Sequence, residues 1–366
     1  KISYADVIKY VNFYSDFLDI EKGDRSALMM ENRPESIFSF FSIWAKKGIA
    51  ISLDAGYTVD QLAYVLGDSE PKYLFVSNKT KEVAEAANSK LNNAIKIINV
   101  DELQMPADYK IKQEEFSNDS NEDVAVLVYT SGTTGNPKGV MITYENIETN
   151  MAGVRAVDLV NETDVILAML PYHHIMPLCF TLILPMYLGV PIVLLTEISS
   201  ASLLKTLQEN RVTVIVGVPR VWEMLDKAIM TKINQSSVAK FMFKLASKTN
   251  SMSIRKMLFS KVHKQFGGHI RLMISGGAKI DKSILEDFRT MGFRAIQGYG
   301  MTETAPIIAF NVPGRERSDS VGEVIPNVEV KIADDGEVLV KGKNVMKGYY
   351  KNEAATKEAF DAEGWF

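Results

Sequence analysis

Val128-Tyr129-Thr130-Ser131-Gly132-Thr133-Thr134-Gly135-Asn136-Pro137-Lys138-Gly139-Val140 is the stretch around which the rest of the chain is organised. Val124 to Val128, which lead into it, are continuously apolar and rich in β-branched residues, the pattern of a short buried strand. Beyond it, Thr143 is placed as the N-cap of a helix through Glu145, Asn146 and Ile147. Between them lie three glycines and four hydroxyl residues, closed by a proline and a lysine. A glycine-rich turn leaving a strand points consecutive backbone N–H groups into one concavity, an anion nest. Hydroxyls add uncharged donors, and Lys138 supplies positive charge. A solvent-exposed linker has a similar composition, but not a lone lysine after Asn-Pro followed by Val140-Met141-Ile142. A Walker A loop is excluded, because that pattern requires Gly-Lys-Ser/Thr and here Gly139 follows the lysine.

Read as a whole, this loop resembles the phosphate loop of the adenylate-forming superfamily: acyl-CoA synthetases, luciferases and peptide-synthetase adenylation domains. The resemblance implies that Thr130, Ser131, Gly132, Thr133, Thr134, Gly135 and Lys138 hold the β- and γ-phosphates of ATP. A carboxylate would then attack the α-phosphorus, giving an acyl-adenylate and pyrophosphate.

A chain of 366 residues exceeds one ordinary domain. Hydrophobic residues make up 46 % and mean hydropathy is −0.01, as expected of a globular protein with a large core. The net charge of −4 argues against a nucleic-acid binder. The one cysteine, Cys179, excludes an intrachain disulfide and suits a cytoplasmic setting. The uncharged run from Ile175 to Thr196 is long enough to span a bilayer. Pro177, Pro185, Gly189 and Pro191 interrupt it, so a buried helix followed by a strand at 192–195 is expected.

Along the chain, strands are expected at 27–30, 48–53, 73–76 and 95–100, alternating with helices at 34–46 and 80–92. Thr58-Val59-Asp60-Gln61 is a capping box opening another helix. The rhythm returns in a helix at 201–210, strands at 212–217 and 272–275, a helix at 281–291 and a strand at 293–296. This alternation predicts βαβ units and two mainly parallel sheets, separated by the loop, with a cleft between them. From about residue 310 the texture becomes β-rich, with a hairpin at Asp334-Asp335-Gly336.

Further stretches carry chemistry. Leu170-Pro171-Tyr172-His173-His174 sets two histidines side by side; adjacent residues rarely face one ion, so a packed aromatic turn outranks a metal pair. By resemblance, His174 ends the family's Pro-x-aromatic-His turn and lines the carboxylate pocket, and the lack of an acidic residue between Pro171 and Pro177 disfavours an amino-acid substrate. Val218-Pro219-Arg220-Val221-Trp222-Glu223 reads as a proline-initiated helix. It also resembles a segment of long-chain acyl-CoA synthetases, in some of which a tryptophan at the Trp222 position gates the acyl tunnel.

Ser275-Gly276-Gly277-Ala278 ends a strand, where α/β folds place ligands; the resemblance makes Gly276, Gly277 and Ala278 the adenine-facing loop. Gln297-Gly298-Tyr299-Gly300-Met301-Thr302-Glu303-Thr304 offers a stacking ring, a hydroxyl and a hard oxygen ligand. The family's Tyr-Gly-x-Thr-Glu motif implies adenine stacking for Tyr299, α-phosphate contact for Thr302 and Mg²⁺ for Glu303, with Gly298 beside the substrate.

The chain is thus identified as a member of the adenylate-forming superfamily, most similar to the N-terminal domain of a bacterial long-chain fatty-acid–CoA ligase. The resemblance implies an α/β fold of two stacked sheets with helices on both faces (residues 1–309). A small distorted β-barrel subdomain would begin at 310–366, and a C-terminal lid domain carrying a catalytic lysine would lie outside this chain. Lys138, Thr302, Glu303 and His174 are the expected catalytic groups; ATP, Mg²⁺ and CoA are the implied cofactor and co-substrates. A fatty acid is the expected substrate, with CoA or acyl carrier protein as acceptor. An aryl or medium-chain acid ligase is the nearest alternative, and a non-catalytic nucleotide-binding scaffold the alternative of another class. Residues 227–264 hold nine Lys or Arg and no Asp or Glu, so the remainder of the chain carries −13. Their apolar residues recur at helical spacing, matching either a packed helical pair with a solvated basic face or a peripheral contact with the inner face of a membrane.

Overall fold

The computed structural model describes residues 1–112, 117–130, 136–195, 197 and 199–366. The strands, in chain order, are β1 Arg25–Met29, β2 Ile49–Leu53, β3 Tyr73–Val76, β4 Lys96–Asn99, β5 Val124–Thr130, β6 Lys138–Thr143, β7 Ile166–Ala168 and β8 Ile192–Leu194. They continue as β9 Val214–Gly217, β10 Leu272–Ser275, β11 Ala295–Gly300, β12 Ile307–Phe310, β13 Glu323–Val324, β14 Val328–Ile332, β15 Val338–Gly342 and β16 Gly348–Tyr349. One sheet has the order β16-β6-β5-β2-β1-β3-β4 and the other β13-β12-β11-β10-β9-β7-β8. Each is parallel over five strands and antiparallel at one edge.

Side-chain alternation along these strands makes three cores. Leu28, Ala50, Phe75, Val126 and Val128 of the first sheet share one core with Ile166, Val214, Val216, Ile274 and Ile296 of the second. Their neighbours point outward: Ala27, Met29, Ile51, Leu74 and Leu127 meet one outer helical layer, and Leu167, Ile215, Met273 and Ala295 meet the other. Strands buried on both faces explain why they read as unbroken apolar runs. The expected two-sheet α/β fold is observed.

The capping expectations hold. The Gln61 N–H donates to Thr58 Oγ1, and the Asn146 N–H donates to Thr143 Oγ1 at 3.2 Å. The central apolar run is a helix at Ile175–Pro177, a π-helical turn at Leu178–Ile183 and a helix at Leu184–Leu188, followed by β8. Among the described residues no helix is long and apolar enough to cross a membrane.

Past residue 310, β14 and β15 form a two-stranded antiparallel hairpin. The neighbouring strands go elsewhere: β13 completes the edge of the second sheet and β16 that of the first. The late residues therefore fasten the two sheets together, a role that the change of texture at residue 310 did not disclose.

Candidate functional site

Strands β9, β10 and β11 run parallel, so their carboxyl ends emerge side by side. There, between the sheets, lies a cavity of about 510 Å³, within the usual range for a small-molecule site. Val216 and Val218 line it from β9, Ile274 to Gly277 from β10 and Gly298 to Thr302 from β11; the first sheet contributes Val128, Tyr129 and Thr130. Pro171, His174 and the apolar Ile175, Met176 and Phe180 close it on the side of the π-helical segment.

Local backbone chemistry shapes these walls. A side chain at Gly276 would put its Cβ 2.6 Å from Met176 Sδ, and Gly277 has φ +80°, a left-handed conformation that favours glycine. At Gly300 a Cβ would lie 1.7 Å from the Pro306 carbonyl oxygen. The β11–β12 register shifts between Tyr299 and Gly300, and Tyr299, a cavity residue, is 38 % exposed. A bulge of this kind re-aims the side chain beside it.

The polar groups here are few. Thr130, His174 and Thr302 line the cavity, and so does Ser275, whose buried Oγ has no hydrogen-bond partner among the described residues. His173 Nε2 and His174 Nε2 are 3.1 Å apart, and Asp54 Oδ2 is 3.7 Å from His173. Burial lowers the pKa of both rings; His173, lowered also by its neighbour, is pushed to about 4. Two neutral imidazoles fit this geometry, one donating N–H to the lone pair of the other. No group of three or more His, Cys, Asp or Glu poised to hold a metal exists among the described residues.

Lys138 and Glu303 stand outside the cavity wall. Lys138 begins β6, opposite Thr130 across the β5–β6 hairpin, and its Nζ lies 5.1 Å from the centre of the Tyr349 ring. The Tyr349 hydroxyl donates to Glu303 Oε1 at 2.8 Å. Lys138 also borders a second pocket of about 300 Å³ with Asn136, Gly139 and Lys351. Ser131, Gly132, Thr133, Thr134 and Gly135 lie outside the described residues.

Two further expected residues lie away from the cavity wall. Ala278 is exposed at the end of its loop. Trp222 is buried in the outer core of the second sheet, edge-on to Phe288 and against Gly217, where a Cβ would come within 2.8 Å of its ring. It stands behind the wall formed by Val218. Sequence reasoning missed Ser275 and Tyr349 as site residues. Ser275 was legible as the polar residue ending an apolar strand, whereas Tyr349 is recruited from a distant segment.

Residues 1–350 match the family model described as AMP-binding enzyme. The chain belongs to that family. Among AMP-binding enzymes, it is 28 % identical to fatty acyl-CoA synthetase A of Dictyostelium discoideum, over 95 % of this chain and 59 % of the relative. It is also 28 % identical to long-chain-fatty-acid–CoA ligase 1 of Cavia porcellus, over 92 % of this chain and 55 % of the relative. The chain thus spans less than two thirds of the length of these curated relatives. The solved o-succinylbenzoate coenzyme A synthetase of Bacillus subtilis in complex with AMP superposes with a TM-score of 0.77. That likeness covers all of this chain and 70 % of the solved one, at 26 % identity.

Proposed function

We propose that the protein activates a fatty acid with ATP, forming an acyl-adenylate and then, in the full-length enzyme, acyl-CoA with release of AMP and pyrophosphate. The observation that carries this reading is the cavity at the strand ends, where a small polar cluster meets an apolar wall and which is lined by Thr130, the partner of Lys138 across the β5–β6 hairpin. No protein nucleophile is required: the fatty carboxylate attacks the α-phosphorus, and the protein supplies orientation and charge stabilisation. Tyr299 and the Gly276–Ala278 turn would receive the adenine, His174 and Gly298 would border the carboxylate, and Thr302 would donate to the α-phosphate. Lys138 and the hydroxyl-rich loop before it would hold the outer phosphates. The apolar residues Ile175, Met176 and Phe180 would begin the acyl path, with Trp222 as a gate behind it.

The chemistry of Glu303 fits Mg²⁺. The ion is commonly bound by one or two carboxylates plus substrate phosphates, and one oxygen of Glu303 already has its hydrogen bond while the other has no hydrogen-bond partner among the described residues. When bound, the ion would neutralise phosphate charge. The test is ATP–pyrophosphate exchange by the full-length protein with saturated acids of increasing length. Exchange stimulated by long-chain acids is expected; stimulation by aromatic acids alone would favour an aryl ligase, consistent with 29 % identity to 2-succinylbenzoate–CoA ligase of Bacillus velezensis over 96 % of this chain. No exchange with any acid would favour the scaffold. Product analysis with CoA against acyl carrier protein identifies the acceptor.

An anionic bilayer is the proposed partner of residues 227–264. They fold as the end of the helix Pro219–Gln235 and the helices Ser237–Ser247, Met252–Leu258 and Ser260–Gln265. Val238, Phe241 and Leu245 recur on one outer stripe, 69 %, 68 % and 47 % exposed, with Lys240, Lys244 and Lys248 along its flank. Each lysine near such a surface contributes about 1 kcal/mol, weakened by salt. Co-sedimentation with anionic vesicles should fall when four of these lysines become glutamine; equal binding by both proteins, or none by either, removes the bilayer.

A further inference from the structure

We propose that Tyr349 is a positioning residue that holds the Glu303 carboxylate ready for the metal–nucleotide while keeping Lys138 from neutralising it. This rests on the ATP- and Mg²⁺-dependent reading above. Lys138 opens β6 of the first sheet and Glu303 follows β11 of the second; they have opposite charge, yet among the described residues neither is in a salt bridge. The Tyr349 side chain meets both. Its face takes the ammonium of Lys138 at 5.1 Å, a cation–π distance, and its hydroxyl donates to Glu303 Oε1 at 2.8 Å.

The register explains how one side chain reaches both. Tyr349 pairs with Val140 on β6, so Lys138, two residues earlier on the same face of that strand, is its diagonal neighbour. Glu303 follows β11 in the short turn Thr302–Thr304. Its backbone carbonyl accepts the Met346 N–H at 2.7 Å, so residues 346–349 hold the glutamate at both its main chain and its side chain.

The tyrosine is itself fixed. Its N–H donates to Thr356 Oγ1 at 2.9 Å. Gly348, at φ +138°, has no room for a Cβ, which would lie 2.7 Å from Thr356 Cγ2. A glutamate side chain loses rotamer freedom when it ligates a metal; one already hydrogen-bonded in place loses less. The carboxylate's second oxygen stays available, and so does the ammonium, because a ring face is a weaker partner than a carboxylate.

Tyr349→Phe keeps the ring and removes the hydroxyl; Tyr349→Leu removes both. Calorimetric binding of ATP to the full-length protein, with and without Mg²⁺, separates them. For Tyr349→Phe, affinity without metal should match wild type within about two-fold, while the gain from Mg²⁺ shrinks about ten-fold, as for loss of a hydrogen bond to a charged group. Tyr349→Leu should lose affinity under both conditions. An unchanged Mg²⁺ gain in Tyr349→Phe, or an equal loss with and without metal, overturns the proposal. Wild-type protein that binds ATP independently of Mg²⁺ overturns instead the reading on which it rests. Should Tyr349→Leu fail to fold, the near-isosteric phenylalanine variant decides alone.

Discussion

At the amino ends of β7, β9 and β10, a buried carboxylate is fully provided with donors; at the carboxyl ends of β9 and β10, a buried hydroxyl has none. Asp164, 1 % exposed, accepts from Arg271 through Nε at 3.0 Å and through Nη2, from Thr213 Oγ1 at 2.7 Å and from the Asn161 N–H at 3.0 Å. Burial alone would raise its pKa, but Arg271, Thr213 and Asn161 outweigh this and hold it below the usual carboxylate value. At the other end, Ser275 Oγ borders the cavity with no partner among the described residues, beside Gly276 and Gly277 of the same wall. One sheet thus separates its two needs by direction: polar groups satisfied internally lock the strand starts, and groups left open at the strand ends wait for a ligand.

The largest expected effect tests the locked end. Asp164→Ala leaves the Arg271 guanidinium without its partner and should cost about 3–5 kcal/mol in denaturant unfolding, while the protein still folded binds ATP as before. A cost below about 1 kcal/mol would erase the contrast. In the other sheet, at the start of β6, Lys138→Ala in the full-length protein should slow ATP–pyrophosphate exchange by roughly ten- to a hundred-fold, the range for a lost charge-assisted contact, with its unfolding midpoint little changed. Unchanged exchange kinetics would remove the lysine from the site.

A second carboxylate sharpens the comparison because it has the opposite surroundings. Asp226, half-buried near Asp287, is pushed up to about 6 by burial and then by that neighbour. A raised carboxyl stabilises the fold while protonated, and this contribution is lost as pH rises through the folded value. Asp226→Asn should therefore stabilise the protein at pH 7.5 by about 1 kcal/mol, discounted for its solvent exposure, and by almost nothing at pH 3.5. A gain of the same size at both pH values would refute the titration argument. Smallest of all, Ser275→Ala should leave stability within about 0.5 kcal/mol of wild type or slightly above it, since no native hydrogen bond is lost. Its effect should fall on the KM of the acid or the nucleotide.

Much of this was legible in the residues. Strands such as 73–76 and, up to its terminal serine, 272–275 are apolar because both their faces are covered, and such runs stand out in sequence. The capping residues Thr58 and Thr143 were readable for a local reason: each cap lies within three residues of its partner. What escaped was non-local. Nothing near Lys138 shows that it opens a second strand of a hairpin, since Lys-Gly-Val-Met-Ile-Thr is short and its pairing comes from β5 and β16. Trp222, expected as a tunnel gate from the resemblance of its segment, lies in the first turn of the helix Pro219–Gln235 within the outer core, a placement its neighbours in sequence do not show. Tyr349 carried no motif that separates it from the adjacent Tyr350; only the β16 register distinguishes the one that meets Glu303.

The pairing of β16 with β6 also bears on how the molecule is made. Until residues 348 and 349 leave the ribosome, the outer edge of β6, with Val140, Met141 and Ile142, has no strand beside it. That partner is encoded roughly two hundred residues downstream, which at about 5–20 residues per second is an interval of roughly 10–40 seconds. An uncovered apolar edge over such a period is a template for pairing with another nascent chain. The β5–β6 hairpin therefore keeps one edge open through the synthesis of every strand of the second sheet.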